Sequence, residues 1–259
     1  KMEESLGGQL FARSTRSVVL TPEGAEFLPV ARRLLMDWNE GFEDLRGLFA
    51  LQRGKLSIAA MPSFASNCLP RTLVALVQRF PNININVQDI VMEEVISAVQ
   101  SGRVELGITF EPDSMDGLDF QPLFNDRFIA ILPPQHHFAT DAEVAFADLL
   151  SYTLVSLNRG SSTRRWTDNA IDEAGRKPPH IFEAFQLTTV GAMVSAGAGV
   201  AVVPALCQQQ MEALGAICVP ISHGGIERQV GIFTRRRQAL SSPAQKFIEL
   251  LIEANTPMA

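Results

Sequence analysis

The sequence predicts an α/β protein of two lobes, preceded by a long dimerising helix and a short basic hairpin. Three patterns predict it. Strands alternate with helices of about ten residues in two separate runs. Two apolar segments, Phe128 to Leu132 and Val230 to Phe233, are placed to cross between those runs. Apolar residues recur at alternating spacings of three and four from Leu28 to Phe49, which is the seam of a paired helix.

The chain's 259 residues, 46% hydrophobic and 19% charged, suffice for two modest domains with a real core. Lys1 opens what reads as a helix interior, so the natural polypeptide is expected to begin upstream. No apolar run reaches membrane-spanning length and no secretory signal is legible. Three cysteines, Cys68, Cys207 and Cys218, form no CxxC pair, and a reducing, cytoplasmic location fits. The net charge is −6, with residues 1–33 carrying +1 and the remainder −7. An acidic body excludes non-specific nucleic-acid binding through the whole surface and leaves DNA contact to the N-terminal end.

In chain order, Lys1 to Leu6 reads as the last turns of a helix that Gly7-Gly8 stops, since glycine accepts the left-handed conformation of a C-cap. Leu10-Phe11, the basic turn Arg13-Ser14-Thr15-Arg16 and the β-like run Val18-Val19-Leu20 follow. Together they suit a winged hairpin or an ordinary surface hairpin equally. Thr21-Pro22-Glu23 announces a helix: threonine as N-cap, proline at the first position, glutamate at the positive end of the dipole. Its seam is Leu28, Ala31, Leu35, Trp38, Phe42, Leu45 and Phe49. A helix from Pro22 to Leu51 would be about 45 Å long, too long and too narrow-striped for one small domain to cover, so it is expected to pair with another copy. Gly41 and Gly47 weaken it by roughly 1 kcal/mol each, and Pro29 sits in its second turn, so partner packing must compensate.

Beyond Arg53-Gly54 the pattern predicts a strand at Leu56–Ala59, a helix over Leu69–Phe80, a strand at Ile83–Val87, a helix over Met92–Ser101 and a strand at Val104–Thr109. A second run has strands at Leu154–Leu157, Ile181–Phe185 and Val200–Val203, with helices after Ser161-Ser162 and from Thr188 and Ala205. This alternation predicts parallel sheets covered on both faces. Ser242-Pro243-Ala244-Gln245 reads as a capping box that opens a last helix. A cleft between paired α/β lobes is the usual place for a small ligand.

With these residues in order, the chain resembles a LysR-type transcriptional regulator over essentially its whole length. In that family the recognition helix ends in a pattern like "LEExLG", followed by "LFxR", a wing, "LTxAG" and a long linker helix. Here the chain reads "MEESLG", "LFAR", "STRSVV", "LTPEG" and the heptad helix. Met2 stands where leucine is usual, a volume-conserving change. The resemblance implies that residues 1–20 are the end of the recognition helix and the wing of a winged helix-turn-helix, and that 21–52 are the dimerisation helix. It implies a periplasmic-binding-protein-like effector domain, with lobe I at 54–132 and 234–259 and lobe II at 133–233. The base-reading residues would lie upstream. Arg13 and Arg16 match the wing and suit the DNA backbone, which positions a protein without specifying sequence. Double-stranded DNA, a small-molecule effector, further copies of the chain in a homodimer or homotetramer, and RNA polymerase are the implied partners. No membrane partner and no cofactor are implied.

For the effector the resemblance singles out Ser63 and Phe64 in the loop after the first strand, and Met92 where relatives often carry a small hydroxyl residue. It adds Ser161, Ser162, Thr188 and Thr189 at helix starts of the second lobe, and Phe233 on the returning crossover. Helix N-termini offer free N–H groups and partial positive charge, which suit an anion. Arg164 or Arg165 offers a counter-charge.

No catalytic constellation is legible. His136, His137, His180 and His223 have no metal-ligand spacing. Cys68 at a helix start is a candidate nucleophile if its pKa falls, and otherwise a small buried hydrophobe. Ser195-Ala196-Gly197-Ala198-Gly199-Val200 closes a helix and opens a strand, the reverse of a dinucleotide loop, so its glycines are a helix C-cap and a tight turn. A transcription regulator uses every feature above; a solute-binding protein or an α/β enzyme would share the lobes but leave the heptad helix and hairpin without a role.

Overall fold

Capping interactions build the N-terminal unit. The computed structural model describes residues 2–13, 17–49, 54–112 and 114–255. Helix α1 (Met2–Leu6) stops at Gly7, whose φ of +68° is the left-handed cap the sequence predicts. Glu3 of α1 accepts the N–H groups of Leu10 at 2.7 Å and Phe11 at 3.1 Å. Those two bonds hold its carboxyl below the usual range. β1 (Phe11–Arg13) and β2 (Val18–Leu20) pair antiparallel, with Ala12 opposite Val19.

Helix α2 (Pro22–Phe49) starts as predicted, with Thr21 Oγ1 accepting the N–H of Gly24 at 3.0 Å. The same hydroxyl donates to the carbonyl of Gln9 at 2.8 Å. Gly24 is required here, because a Cβ would stand 2.1 Å from the carbonyl oxygen of Leu10. The glycine of "LTPEG" therefore lets the first turn of α2 lie against the strand entry. Further along, Leu35, Trp38, Phe42 and Leu45 are each between 46% and 65% exposed. Leu28 and Ala31 are half-buried, and Trp38 packs on Phe42 with centroids 4.9 Å apart. The side chain of Phe49, and Arg16 altogether, lie outside the described residues.

The second unit begins at Gly54. Its first lobe runs β3 (Gly54–Ala60), α3 (Pro62–Asn67), α4 (Leu69–Arg79), β4 (Ile83–Asp89), α5 (Met92–Gln100) and β5 (Leu106–Phe110). The long strand β6 (Leu118–Leu132) then carries the chain into the second lobe. There follow α6 (Phe146–Leu149), β7 (Leu154–Leu157), α7 (Ser162–Glu173), β8 (Ile181–Ala184), α8 (Leu187–Ser195), β9 (Ala201–Pro204), α9 (Gln208–Ala213) and β10 (Ile217–Pro220). β11 (Glu227–Arg235) and α10 (Ser242–Asn255) return to the first lobe.

The strand order is β10-β6-β11-β5-β3-β4, with β9 also on β6. β3 runs parallel to β4 and β5, whereas β11 is antiparallel to both β5 and β6. The sheet is thus mixed rather than parallel. Hydrophobic alternation identifies strands but not their direction, and β11 enters from the far lobe. In the second lobe β7 and β8 pair parallel.

Strands overrun the expected lobe borders. Ile129 and Ile131 of β6 pack in the second lobe's core with Val155, Val194 and Val203. Phe233 of β11 packs in the first lobe's core with Ala59, Val95 and Leu118. Smaller corrections concern helix starts. α8 begins at Leu187, the chain after β9 makes a 3₁₀ turn over Ala205–Cys207 before α9, and α10 is capped one residue early. Ser241, not Ser242, accepts the N–H of Ala244 at 3.3 Å. Ser241 is itself fixed by Glu105, which accepts its hydroxyl at 2.8 Å and its N–H. Gly197, with φ of +89°, closes α8 as the C-cap expected of the glycine-rich segment.

Candidate functional site

A cleft forms where the chain leaves β3, β4 and β5 in the first lobe and β7, β8 and β9 in the second. Met61 closes β3 by donating its N–H to Ile108 at 3.0 Å, and Pro62 starts α3, so Ser63 is held 2% exposed in the first turn. Val91, Met92 and Glu93 open α5 on the same side. From the second lobe, Ser161 Oγ accepts the N–H of Arg164 at 3.1 Å and so starts α7. After β8, the backbone presents Phe185, Gln186 and Leu187.

The space between the cleft walls, open mouth included, is about 550 Å³. Met61, Met92 and Phe110 face Leu157, Phe185 and Leu187 as largely apolar walls, into which Ser63, Ser161, Ser162 and Gln186 bring polar groups. Among the described lining residues, Glu93 is the one ionisable side chain. Its Oε1 accepts both the N–H of Ser162, at 3.0 Å, and the Ser162 hydroxyl, at 2.5 Å. Arg165 Nη2 donates to that hydroxyl oxygen at 3.2 Å. On the buried side, Phe110 of β5 meets Trp166 of α7 edge-on with centroids 5.2 Å apart. Phe128 adds a second edge, and the Arg228 guanidinium lies 4.7 Å over the indole.

The structure brings four of the eight predicted effector residues into the lining: Ser63, Met92, Ser161 and Ser162. Phe64 is turned inward, fully buried and stacked on Phe124 at 6.5 Å. Phe233 is fully buried in the first lobe's core, where β11 pairs with β5, and packs on Phe120 at 4.8 Å. Thr188 and Thr189 are exposed on α8 outside the lining, because the helix starts earlier and Gln186 and Leu187 take the cleft-facing places. Arg164 is not a counter-charge for a ligand. It is 3% exposed and bonds Asp168 at 2.8 Å, Glu183 at 3.1 Å and the carbonyl of Leu157 at 3.2 Å.

Sequence reading missed Glu93, Phe185 and Phe110. Glu93 reads as one of two acids in the first turn of α5, the ordinary complement to a helix dipole. The pattern makes Phe185, 75% exposed, the last residue of a strand; the strand stops at Ala184 and leaves the aromatic at the cleft, and its place just before a helix start is the one signal available. Burial works against activation of the thiols. Burial pushes Cys68 up, with Asp126 adding to it, and also raises Cys207, while Cys218 is pushed up to about 11. The candidate nucleophile Cys68 therefore has its thiolate disfavoured. No group of three or more His, Cys, Asp or Glu that could hold a metal occurs among the described residues.

The family model of the LysR substrate binding domain matches residues 50–256, the whole of the two-lobed unit with its cleft. The chain belongs to the LysR family. Among LysR-type relatives, the uncharacterised HTH-type transcriptional regulator YbhD of Escherichia coli is 29% identical over 252 residues, covering 97% of this chain and 80% of YbhD. A full-length OxyR variant from Pseudomonas aeruginosa superposes with a TM-score of 0.80 at 21% identity, covering 98% of this chain and 87% of that one. The effector binding domain of QuiR in complex with shikimate shares the LysR effector fold at a TM-score of 0.70 and 14% identity, covering 78% and 97%. No helix among the described residues is long and apolar enough to cross a membrane.

Proposed function

We propose that this LysR-type chain is an effector-controlled, DNA-binding regulator of transcription that works in the cytoplasm. A small organic carboxylate with an apolar body binds in the interlobe cleft and changes how the paired N-terminal units engage DNA. One observation carries the effector class: in a mostly apolar cleft, the N–H and hydroxyl of Ser162 at the start of α7 converge on one point, and the group they hold there is a carboxylate oxygen. Ser63, Met92 and Phe185 surround it with apolar surface and one further hydroxyl. The complex of QuiR with shikimate, on the same fold, supports a small-molecule ligand.

DNA contact is assigned to the N-terminal unit, where Arg13 at the end of hairpin strand β1 has its side chain 69% exposed, 3.7 Å from Glu3. YbhD, named as an HTH-type regulator, supports that assignment. The unpartnered stripe of α2 supports pairing of two chains through Leu35, Trp38, Phe42 and Leu45. A homotetramer formed through the effector domains, and contact with RNA polymerase, complete the reading. The cleft binds and releases its ligand and performs no catalysis. Selection of genomic fragments by the complete gene product, at a stated salt concentration, tests this. A few dyad-symmetric sites, with occupancy altered by a carboxylate, are expected; no enrichment over random DNA would sink it.

A further inference from the structure

We infer that Glu93 is the cleft's own occupant of the carboxylate subsite, and that an effector's carboxylate binds by displacing it. The inference rests on the effector reading of the cleft given above.

The geometry is that of a ligand supplied by the chain. One oxygen of Glu93 accepts two donors of Ser162 at 3.0 and 2.5 Å, as a helix start receives an anion. An incoming carboxylate meets two obstacles at once: those donors are occupied, and the occupant is a like charge, which disfavours a second anion beside it. Both vanish when Glu93 swings out. It is free to do so, being exposed in the first turn of α5, while Val95, Ala98 and Val99 of the same helix stay anchored in the first lobe's core. No core side chain has to move.

Glu93 belongs to the first lobe and Ser162 to the second. Holding Ser162 therefore also ties the lobes across the cleft, and the tie and the bound effector exclude each other. A carboxylate tethered this close competes at an effective concentration of roughly millimolar or above. Apparent affinity for any carboxylate falls by the fraction of chains with the subsite open. Glu93 thus sets a threshold: the cleft responds to a carboxylate whose apolar body adds enough contact with Met92, Phe110 and Phe185 to win that exchange.

The test uses the whole chain with three probes of one shape, benzoate, benzamide and benzylamine, by titration calorimetry at fixed salt. Glu93→Ala is expected to tighten benzoate about tenfold or more, the scale of removing a tethered competitor, and to change benzamide little. Equal changes for both probes, or no change, overturn the inference. Benzylamine binding that is lost in Glu93→Gln, without a gain for benzoate, overturns it too, by making Glu93 the partner of a cationic ligand. A second readout needs no probe. Hydrogen exchange at the buried Ser162 amide is expected to quicken about tenfold in Glu93→Ala as its bond is lost. Unchanged exchange overturns the internal occupant itself. Quickened exchange with no probe bound by any form instead removes the effector reading, and with it the displacement.

Discussion

Arg164 and Glu183 meet at 3.1 Å, joining α7 to β8 beneath the cleft. The guanidinium is 3% exposed while its carboxylate partners, Glu183 and Asp168, are 39% and 43% exposed. The positive charge is thus inside and the negative charges stand at the rim, which keeps the start of α7 fixed.

Arg164→Ala removes three hydrogen bonds and the packing of the stem. Asp168 is left to water and Glu183 keeps Arg159 at 3.3 Å, so the cost is below that of an unpaired buried charge, on the order of 2 kcal/mol. Urea unfolding of the effector domain should show it as a lower midpoint with an unchanged slope.

Asp126 on β6 is 4% exposed, and burial raises its carboxyl from 3.8 to about 7, against the lowering effect of the N–H groups of Leu206 and Ala205. Between those values the folded chain holds a proton that the unfolded chain has lost. Stability therefore falls as pH rises from about 4 to about 7, is lowest above that window, and recovers towards acid as far as this group is concerned. The swing is on the order of a few kcal/mol. Asp126→Asn should flatten that part of the profile in thermal unfolding across pH 4 to 8; a slope that persists unaltered contradicts the assignment.

Gly24→Ala places a methyl group where the carbonyl of Leu10 stands. Displacing the hairpin from the first turn of α2 is expected to cost roughly 2 kcal/mol in the N-terminal unit. DNA affinity of the complete gene product should drop while ligand binding in the cleft stays the same, which gel shift and calorimetry report separately.

Trp38→Ala and Phe42→Ala each remove an exposed aromatic from the α2 stripe. If two chains pair through it, each should weaken dimerisation about tenfold or more, the range of aromatic interface anchors. Sedimentation at micromolar protein gives the answer; a dimer constant that ignores both substitutions moves the interface elsewhere.

With its thiols raised, the chain should react slowly with iodoacetamide at pH 7 and faster as pH climbs. Rapid, one-for-one alkylation of Cys68 at neutral pH would restore it as a nucleophile.

Much of this architecture was legible because it depends on local chemistry. Thr21, Pro22 and Gly7 mark ends of helices by mechanisms that act within a turn, and strand β7 falls at Leu154–Leu157 as the alternation requires. What escaped depends on distant partners. Nothing near Phe233 says that β5 will lie beside it, and nothing near Glu93 says that Ser162 will be 3.0 Å away, 69 residues on. The cap at Ser241 rather than Ser242 is a milder case, decided by Glu105 from another element. Half of the residues singled out for the effector line the cleft, those whose helix starts fix their direction; the others are turned inward or lie on α8 outside the lining.

β6 is one unbroken strand of fifteen residues, paired with β11 up to Arg127 and with β9 and β10 from Phe128 onward. Hydrogen-bonded ribbons twist readily but resist stretching and shearing. Twisting is therefore the relative motion of the lobes that this ribbon opposes least. A ligand that bridges the cleft, as proposed above, is expected to turn the lobes about this strand rather than slide them past each other.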